Sequence, residues 1–168
     1  MKHSGRALLG ILIFLGACSQ GKISERDIKR QQQQDQVSLK KQELESVSGT
    51  YSGLLKNEAG TDRDVILKLE VKDVASQPAG GVDPVVVPKL VGFLRFQFGG
   101  SDSKEYIDAP LSETEFNLSQ STVYAVATHP QFDRMILRLE FEEPKLVGTW
   151  SASAVGASGT LDLSRDLP

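Results

Sequence analysis

The chain has 168 residues, a formal net charge of −3 and one cysteine, Cys18. A single cysteine excludes an internal disulfide framework and a thiolate metal cluster. The negative charge is carried by residues 47–168, where 17 Asp or Glu stand against 11 Lys or Arg. Because phosphate groups repel such an acidic segment, the sequence gives no sign of a nucleic-acid partner.

Residues 1–17 have the pattern of a secretion signal. Lys2 and Arg6 precede the uncharged run ALLGILIFLGA, from Ala7 to Ala17. This run is shorter than the roughly 20 apolar residues of a membrane-spanning helix, and it ends in small residues typical of a cleavage site. We predict a cleaved signal peptide. The alternatives are an ordinary signal followed by a chance cysteine, or an uncleaved anchor.

The tetrapeptide Leu15-Gly16-Ala17-Cys18 resembles the lipobox of bacterial lipoproteins. The resemblance implies that the mature chain begins at Cys18 and that acyl chains on its sulfur and amine anchor it in a membrane. Several chains anchor far more firmly than one, since each buried methylene contributes about 0.8 kcal/mol. Ser19, not Asp, follows Cys18. The resemblance therefore implies the outer membrane, with the protein facing the periplasm.

Residues 18–46 form a polar, Gln-rich arm that has no aromatic residue and no proline. Ser24 and Asp27 have the spacing of a capping box, which predicts that a helix begins there. Its apolar residues do not form a continuous stripe, so we expect a mostly solvated helix. This pattern favours a spacer between membrane and domain, and a coiled-coil or partner-binding helix is the alternative.

Residues 47–168 predict one all-β domain. Ile66–Val71 and Ile136–Phe141 alternate apolar and polar residues, as strands with one buried and one solvated face do. Further strand candidates, separated by turn residues, are Gly49–Lys56, Leu90–Phe98, Glu105–Ala109, Glu115–Leu118, Thr122–Thr128, Leu146–Ser153 and Gly159–Ser164. About eight or nine strands predict an antiparallel up-and-down β-barrel, with a two-sheet sandwich as the alternative. Gly92 and Gly148 inside predicted strands indicate sharp curvature or close backbone approach.

The domain contains an internal duplication. ILKLEV at Ile66–Val71 returns as ILRLEF at Ile136–Phe141, and PKLVGFL at Pro88–Leu94 returns as PKLVGTW at Pro144–Trp150. The two offsets are 70 and 56 residues, so the first copy carries an insertion of 14 residues within or close to DVASQPAGGVDPVVV. The scaffold does not require this insertion, and long inserted loops often carry function.

Three triplets resemble the Gly-x-Trp signature of lipocalins and their calycin relatives. They are Gly49-Thr50-Tyr51, Gly148-Thr149-Trp150 and an aliphatic version, Gly159-Thr160-Leu161. The resemblance implies a β-barrel that holds a small apolar ligand.

The sequence contains no catalytic or metal-binding motif that we could identify. His129 precedes Pro130 in a predicted turn and has no second histidine or thiolate near it, which favours a surface histidine over a general base. Asp62 and Asp64 flank Arg63, and a solvated hairpin tip explains this pair better than a calcium site does. A nucleophile elbow, a phosphate-binding loop and zinc-ligand spacing are all absent from the sequence. We predict a non-catalytic protein without cofactor or metal.

Two functions stay open at this point. The first is a protein-interaction module of the cell envelope, with Val85, Val86 and Val87 of the insertion as the candidate contact surface, unless these residues start a strand and are buried. The second is a lipocalin-like carrier of a small apolar ligand. Five aromatic residues are candidates for the cavity lining or the core: Phe93, Phe96, Phe98, Phe141 and Trp150. Because an eight-stranded barrel has room for packed side chains or one small ligand, and aromatic residues more often fill cores, the interaction module is favoured.

Overall fold

The computed structural model describes residues 24–58, 60, 62–76, 85–98 and 105–166. Helix α1, Glu25–Val47, precedes eight strands that close into a barrel. The strands are β1 (Gly49–Asn57), β2 (Asp62–Ser76), β3 (Val85–Phe98), β4 (Glu105–Asn117), β5 (Thr122–His129), β6 (Asp133–Glu142), β7 (Lys145–Ala152) and β8 (Ala157–Arg165). The predicted signal peptide and Cys18 lie outside the described residues.

Each strand pairs antiparallel with the next, and β8 returns to pair with β1. The predicted all-β, up-and-down barrel is therefore confirmed, and the sandwich alternative is wrong because a single sheet closes on itself. Two predicted strands, Glu105–Ala109 and Glu115–Leu118, belong to the one long strand β4, except that Leu118 begins the short 3-10 helix that follows it. A β-bulge shifts the register of this strand between Leu111 and Glu113. Because proline is unusual inside a strand, Pro110 suggested a break there. Asp62 and Asp64 lie within β2, not in a hairpin tip.

Helix α1 begins with the predicted capping box. The Ser24 hydroxyl accepts a hydrogen bond from the Asp27 backbone N–H at 3.2 Å, and the Asp27 carboxylate accepts one from the Ser24 N–H. The first turns of the helix are exposed, as expected for a polar arm. The last turns differ from that expectation, because Leu44 and Val47 are buried within the barrel's hydrophobic cluster. The helix is thus docked on the barrel at its C-terminal end.

The duplicated sequence folds twice into the same hairpin. Leu69 pairs with Gly92 between β2 and β3, and the equivalent residues Leu139 and Gly148 pair between β6 and β7. A Cβ atom added to Gly92 would lie 1.8 Å from a backbone carbonyl oxygen of β2, and one added to Gly148 would lie 2.1 Å from a carbonyl of β6. The predicted close backbone approach at both glycines is confirmed, since no larger side chain fits between these strands.

Candidate interaction surface

The barrel interior is filled by the chain's own side chains. All eight strands contribute residues to one buried hydrophobic cluster, and α1 contributes Leu44 and Val47. Its largest members include Tyr51, Phe116 and Trp150, and the Trp150 indole donates to the carbonyl oxygen of Lys56 at 3.0 Å. Among the described residues, the buried side chains are apolar apart from the hydroxyl of Tyr51, the indole N–H of Trp150 and the thioether of Met135, and none of them is charged. The interior is therefore an apolar core.

The five aromatic candidates do not share one environment. Phe96 and Trp150 are buried, and Phe141 packs partly buried against the same cluster. Phe93 lies on the outer face, where the guanidinium of Arg95 stands 5.8 Å from its ring centre. Strand alternation explains this, because Phe93 and Phe96 have opposite parity along β3. Phe93 is therefore not part of the core, and the side chain of Phe98 lies outside the described residues.

The hairpin formed by β2 and β3 continues beyond the barrel wall. Pairing of β2 with β1 stops at Leu69, and pairing of β3 with β4 stops at Phe93. Pairing between β2 and β3 continues for seven more residue pairs, from Glu70↔Val91 to Ser76↔Val85. At roughly 3.3 Å per residue this segment is about 23 Å long. We call residues 70–76 and 85–91 the hairpin extension.

Comparison of the two repeats locates the insertion within this extension. In the second copy, Glu142 pairs with Lys145 and the strands join through the turn at Glu143 and Pro144. The equivalent pair in the first copy is Lys72 and Lys89, after which the strands continue. The 14 inserted residues are therefore 74–87, and those of them that the structure describes lengthen an existing hairpin.

The valine run begins β3, but it is not buried. Val86 is 51% exposed, and Val74, which pairs with Val87, is 36% exposed. Val85 and Val87 are half-buried. Alternation along the strands puts Val86 on one face of the extension and Val74, Val85 and Val87 on the other. Apolar surface is thus presented on both faces.

Helix α1 follows the extension away from the barrel. Leu44 of the helix and Leu90 of β3 belong to the same buried cluster. One turn further from the barrel, the Lys41 ammonium lies 3.2 Å from the Asp73 carboxylate. The helix therefore proceeds toward its N-terminus in the direction in which the hairpin extension projects. The N-terminal end of α1 and the extension lie on the same side of the barrel.

The barrel wall opens between β3 and β4. The last pair of these strands is Phe93↔Pro110, and the bulge in β4 follows within two residues. Beyond it, the Thr114 hydroxyl donates to the carbonyl oxygen of Leu90. We call the gap between residues 88–92 and 111–116 the seam. It forms a groove of about 490 Å³ whose apolar lining comprises Leu44, Pro88, Leu90, Val91, Leu111 and Phe116.

The titratable groups with shifted pKa values take part in ion pairs on the barrel surface or lie in the core. The hydrogen bonds from Arg95, at 2.5 and 2.6 Å, lower the pKa of Asp108, and a hydrogen bond from Lys68 lowers that of Glu70. Burial raises the pKa of Tyr51, against the opposing effect of Arg165. These shifts come from ion pairs on the outer face and from the core, and they do not identify a catalytic group.

His129 is the last residue of β5, and its ring stacks on Phe132 at 5.6 Å. Its Nδ1 accepts a hydrogen bond from the Gln131 N–H at 3.2 Å. Over the described ranges, no three His, Cys, Asp or Glu side chains group as metal ligands would. Within the same ranges, no helix combines the length and apolar character that a membrane span requires.

No protein-family model, curated protein or solved structure matches the chain. The hairpin extension and the seam beside it are the candidate interaction surfaces, because the repeat sets both apart from the equivalent hairpin of β6 and β7. Sequence reasoning found the first through the insertion and missed the second. Pro88 and Pro110 were its signal, because proline in a strand marks an edge or a break in pairing.

Proposed function

We propose that this protein is a membrane-anchored lipoprotein of the bacterial envelope whose β-barrel is a non-catalytic protein-interaction module. The hairpin extension carries the proposal. The second copy of the repeat closes the same hairpin with a short turn at Glu143 and Pro144, whereas the first adds 14 residues and exposes valines. The barrel can be closed without these residues, so a binding role explains them better than a structural one.

The filled interior supports binding outside the barrel. A lipocalin-like carrier needs a cavity for its ligand, but here Phe96 and Trp150 pack in a continuous apolar cluster. The exposed Val86, by comparison, has about half of its surface available to a partner. Val86 on one face and Val74 on the other are the exposed apolar side chains of the described part of the extension, and apolar surface on an insertion that the barrel does not need is a candidate contact site.

Anchoring through Cys18 would orient the hairpin extension relative to the membrane. The first helical residue, Glu25, follows Cys18 by seven positions, and α1 has 23 residues, or about 34 Å of helix at 1.5 Å per residue. Since the extension projects toward the N-terminal end of α1, it would face the membrane that holds the acyl chains. A partner at or near that membrane surface fits this arrangement.

Site-specific photo-crosslinking in the full-length chain tests the interaction module. A photoreactive amino acid replaces Val86 in the native bacterium, and a matched variant carries it at Val155, which is 55% exposed at the opposite end of the barrel. We expect a discrete adduct with an envelope protein from position 86 and none from position 155. Equal adducts from both positions, or none from either, would overturn the hairpin extension as the contact surface of this module.

Two further measurements test the anchor and the carrier alternative. Cys18→Ala is expected to remove the acyl mass and release the chain from the membrane fraction, while a membrane-bound variant would contradict the lipid anchor. Native and denatured masses of the chain, purified without detergent, are expected to agree. Extra mass that disappears on denaturation would favour the carrier.

A further inference from the structure

The repeat identifies a strand edge that pairs with a neighbouring strand in one copy and does not in the other. Residues 89–92 of β3 and 145–148 of β7 share the sequence Lys-Leu-Val-Gly. In the second copy these residues pair with β8, from Lys145↔Ser164 to Gly148↔Leu161. In the first copy the corresponding residues precede Phe93, where pairing with β4 begins. The same edge thus has a strand beside it in one copy and the seam in the other.

The backbone groups at this edge can be assigned from the paired copy. The Arg165 N–H donates to the carbonyl oxygen of Pro144 at 2.8 Å. Because alternate residues of a strand direct N–H and C=O to the same side, Leu146 and Gly148 face β8 as well. Their equivalents Leu90 and Gly92 therefore face the seam. The hydrogen bond from the Thr114 hydroxyl to the Leu90 carbonyl agrees with this assignment. A segment that pairs with Leu90 must displace this hydroxyl.

We propose that the seam binds an extended segment of a partner protein, which adds as a strand to the edge of β3 at residues 88–92. The inference rests on the proposed interaction function and deepens it by naming the chemistry of the partner. An exposed strand edge is a template for backbone pairing, and pockets for alternate side chains then provide specificity. The groove of about 490 Å³ lies within the usual size of binding pockets, roughly 300–1,000 Å³.

The side-chain pattern of the segment follows from β8. Opposite the Lys-Leu-Val-Gly sequence of β7, Leu161 and Leu163 are buried while Asp162 and Ser164 are exposed. A segment at the seam would likewise alternate, with apolar side chains directed at the groove floor formed by Leu44, Leu90 and Phe116.

The outward positions of that segment are predicted to be polar. In β8 these positions are Asp162, which lies opposite Val147, and Ser164, which lies opposite Lys145. The seam itself carries charges of both signs, Lys40 and Lys89 against Glu113 and Glu115, so charge alone does not select an acidic residue. The partner segment is therefore predicted to alternate apolar and polar residues.

Peptide binding to the full chain tests the inference. The probe is the labelled peptide GTLDLSR, which reproduces Gly159–Arg165. The control is GTLLDSR, with the same composition but adjacent leucines, of which only one can face the groove. We expect GTLDLSR to slow amide hydrogen exchange at Leu90 and Gly92 by about tenfold or more. Val91, whose N–H faces β2, is the internal control and should not change.

A blocking variant gives a second measurement. Thr114→Phe places a large side chain in the seam and should abolish binding of GTLDLSR, whereas the matched Thr122→Phe on the outer face of β5 should not. The inference would be overturned by any of three results: no binding of GTLDLSR, equal protection of the amides by both peptides, or binding that Thr114→Phe does not affect. The seam would then be a strand edge that binds no partner. If circular dichroism shows that Thr114→Phe does not fold, the exchange data on the unmodified chain decide.

The two proposals can fail separately. An adduct at Val86 together with no peptide protection at Leu90 would keep the hairpin extension as the interaction surface and overturn the seam. Protection at Leu90 and Gly92 without an adduct at Val86 would support the seam and overturn the role of the valines.

Discussion

The guanidinium carbon of Arg165, on β8, lies 5.2 Å from the ring centre of Tyr51, on β1. The same guanidinium donates to the Tyr51 hydroxyl at 2.6 Å and to the carbonyl oxygen of Ser46 at 2.5 Å. The Tyr51 hydroxyl in turn donates to the Val47 carbonyl at 2.9 Å. This pair therefore joins the first strand, the last strand and the end of α1 where the barrel closes.

Arg165→Met is expected to lower the free energy of unfolding by about 2 kcal/mol, since hydrogen bonds to charged groups contribute roughly 1.5–3 kcal/mol. The reason is that the Arg165 side chain is only 20% exposed, so water cannot fully replace its partners. Urea unfolding measures the change. The control is Arg134→Met, whose side chain is 50% exposed in an ion pair with Glu113 and should contribute about 0–1 kcal/mol. Equal losses in both variants would refute a special role for Arg165.

Tyr51 predicts a decline of stability at high pH. Burial raises the pKa of its hydroxyl above the usual value of 10.0, so the unfolded chain loses this proton at lower pH than the folded chain does. The stabilising effect is complete below a pH of about 10 and is lost as pH rises through the folded pKa. Urea unfolding at increasing pH measures it. Tyr51→Phe should reduce the fall in the free energy of unfolding with pH, whereas Tyr106→Phe, at an exposed position, should not. If the pH dependence of stability is unchanged in Tyr51→Phe, Tyr51 is not the group responsible.

Local patterns predicted most of the fold. Period-two alternation located β2 and β6, the repeat related them, and the spacing of Ser24 and Asp27 located the start of α1. The same alternation also separates Phe93 from Phe96, so the outward position of Phe93 could have been read from the sequence.

Long-range contacts could not be read in this way. Arg165 and Tyr51 are 114 positions apart, and no local period relates them. The seam depends on where the pairing of β3 with β4 stops, which a bulge between Leu111 and Glu113 helps to decide. Register and bulges are properties of two strands together, and a sequence pattern describes one strand at a time.

Gly92→Ala and Gly148→Ala should destabilise the barrel to a similar degree, because both glycines hold the same place in the repeat. Each new Cβ atom would lie about 2 Å from a backbone carbonyl oxygen, so the neighbouring strands must separate. We expect losses of about 3 kcal/mol or more, at the upper end for overpacking. Gly60→Ala is the control, since its Cβ atom meets nothing within 4 Å at a φ of +79°, and it should cost about 1 kcal/mol. Losses no larger than the control's would show that the strands can separate freely.

Deletion of residues 74–87, which joins Asp73 to Pro88, should leave the barrel folded. The new connection Lys72-Asp73-Pro88-Lys89 corresponds to Glu142-Glu143-Pro144-Lys145, through which β6 and β7 already join. The shortened chain also retains Lys41 and Asp73, which form an ion pair in the full chain, and the buried Leu44 and Leu90. We expect the free energy of unfolding to change by about 1 kcal/mol or less, as for other surface changes.

Urea unfolding and far-ultraviolet circular dichroism measure the effect of this deletion. Substitution of Val86 by Ala in the full-length chain is the control, since it removes apolar surface and keeps the hairpin. A cooperative unfolding transition at nearly the original urea concentration would mean that the barrel is stable without the extension. The extension would then serve a purpose other than stability. Loss of cooperative unfolding in the deletion, with Val86→Ala unchanged, would instead make the extension a structural support for α1, and the exposed valines would no longer require a partner.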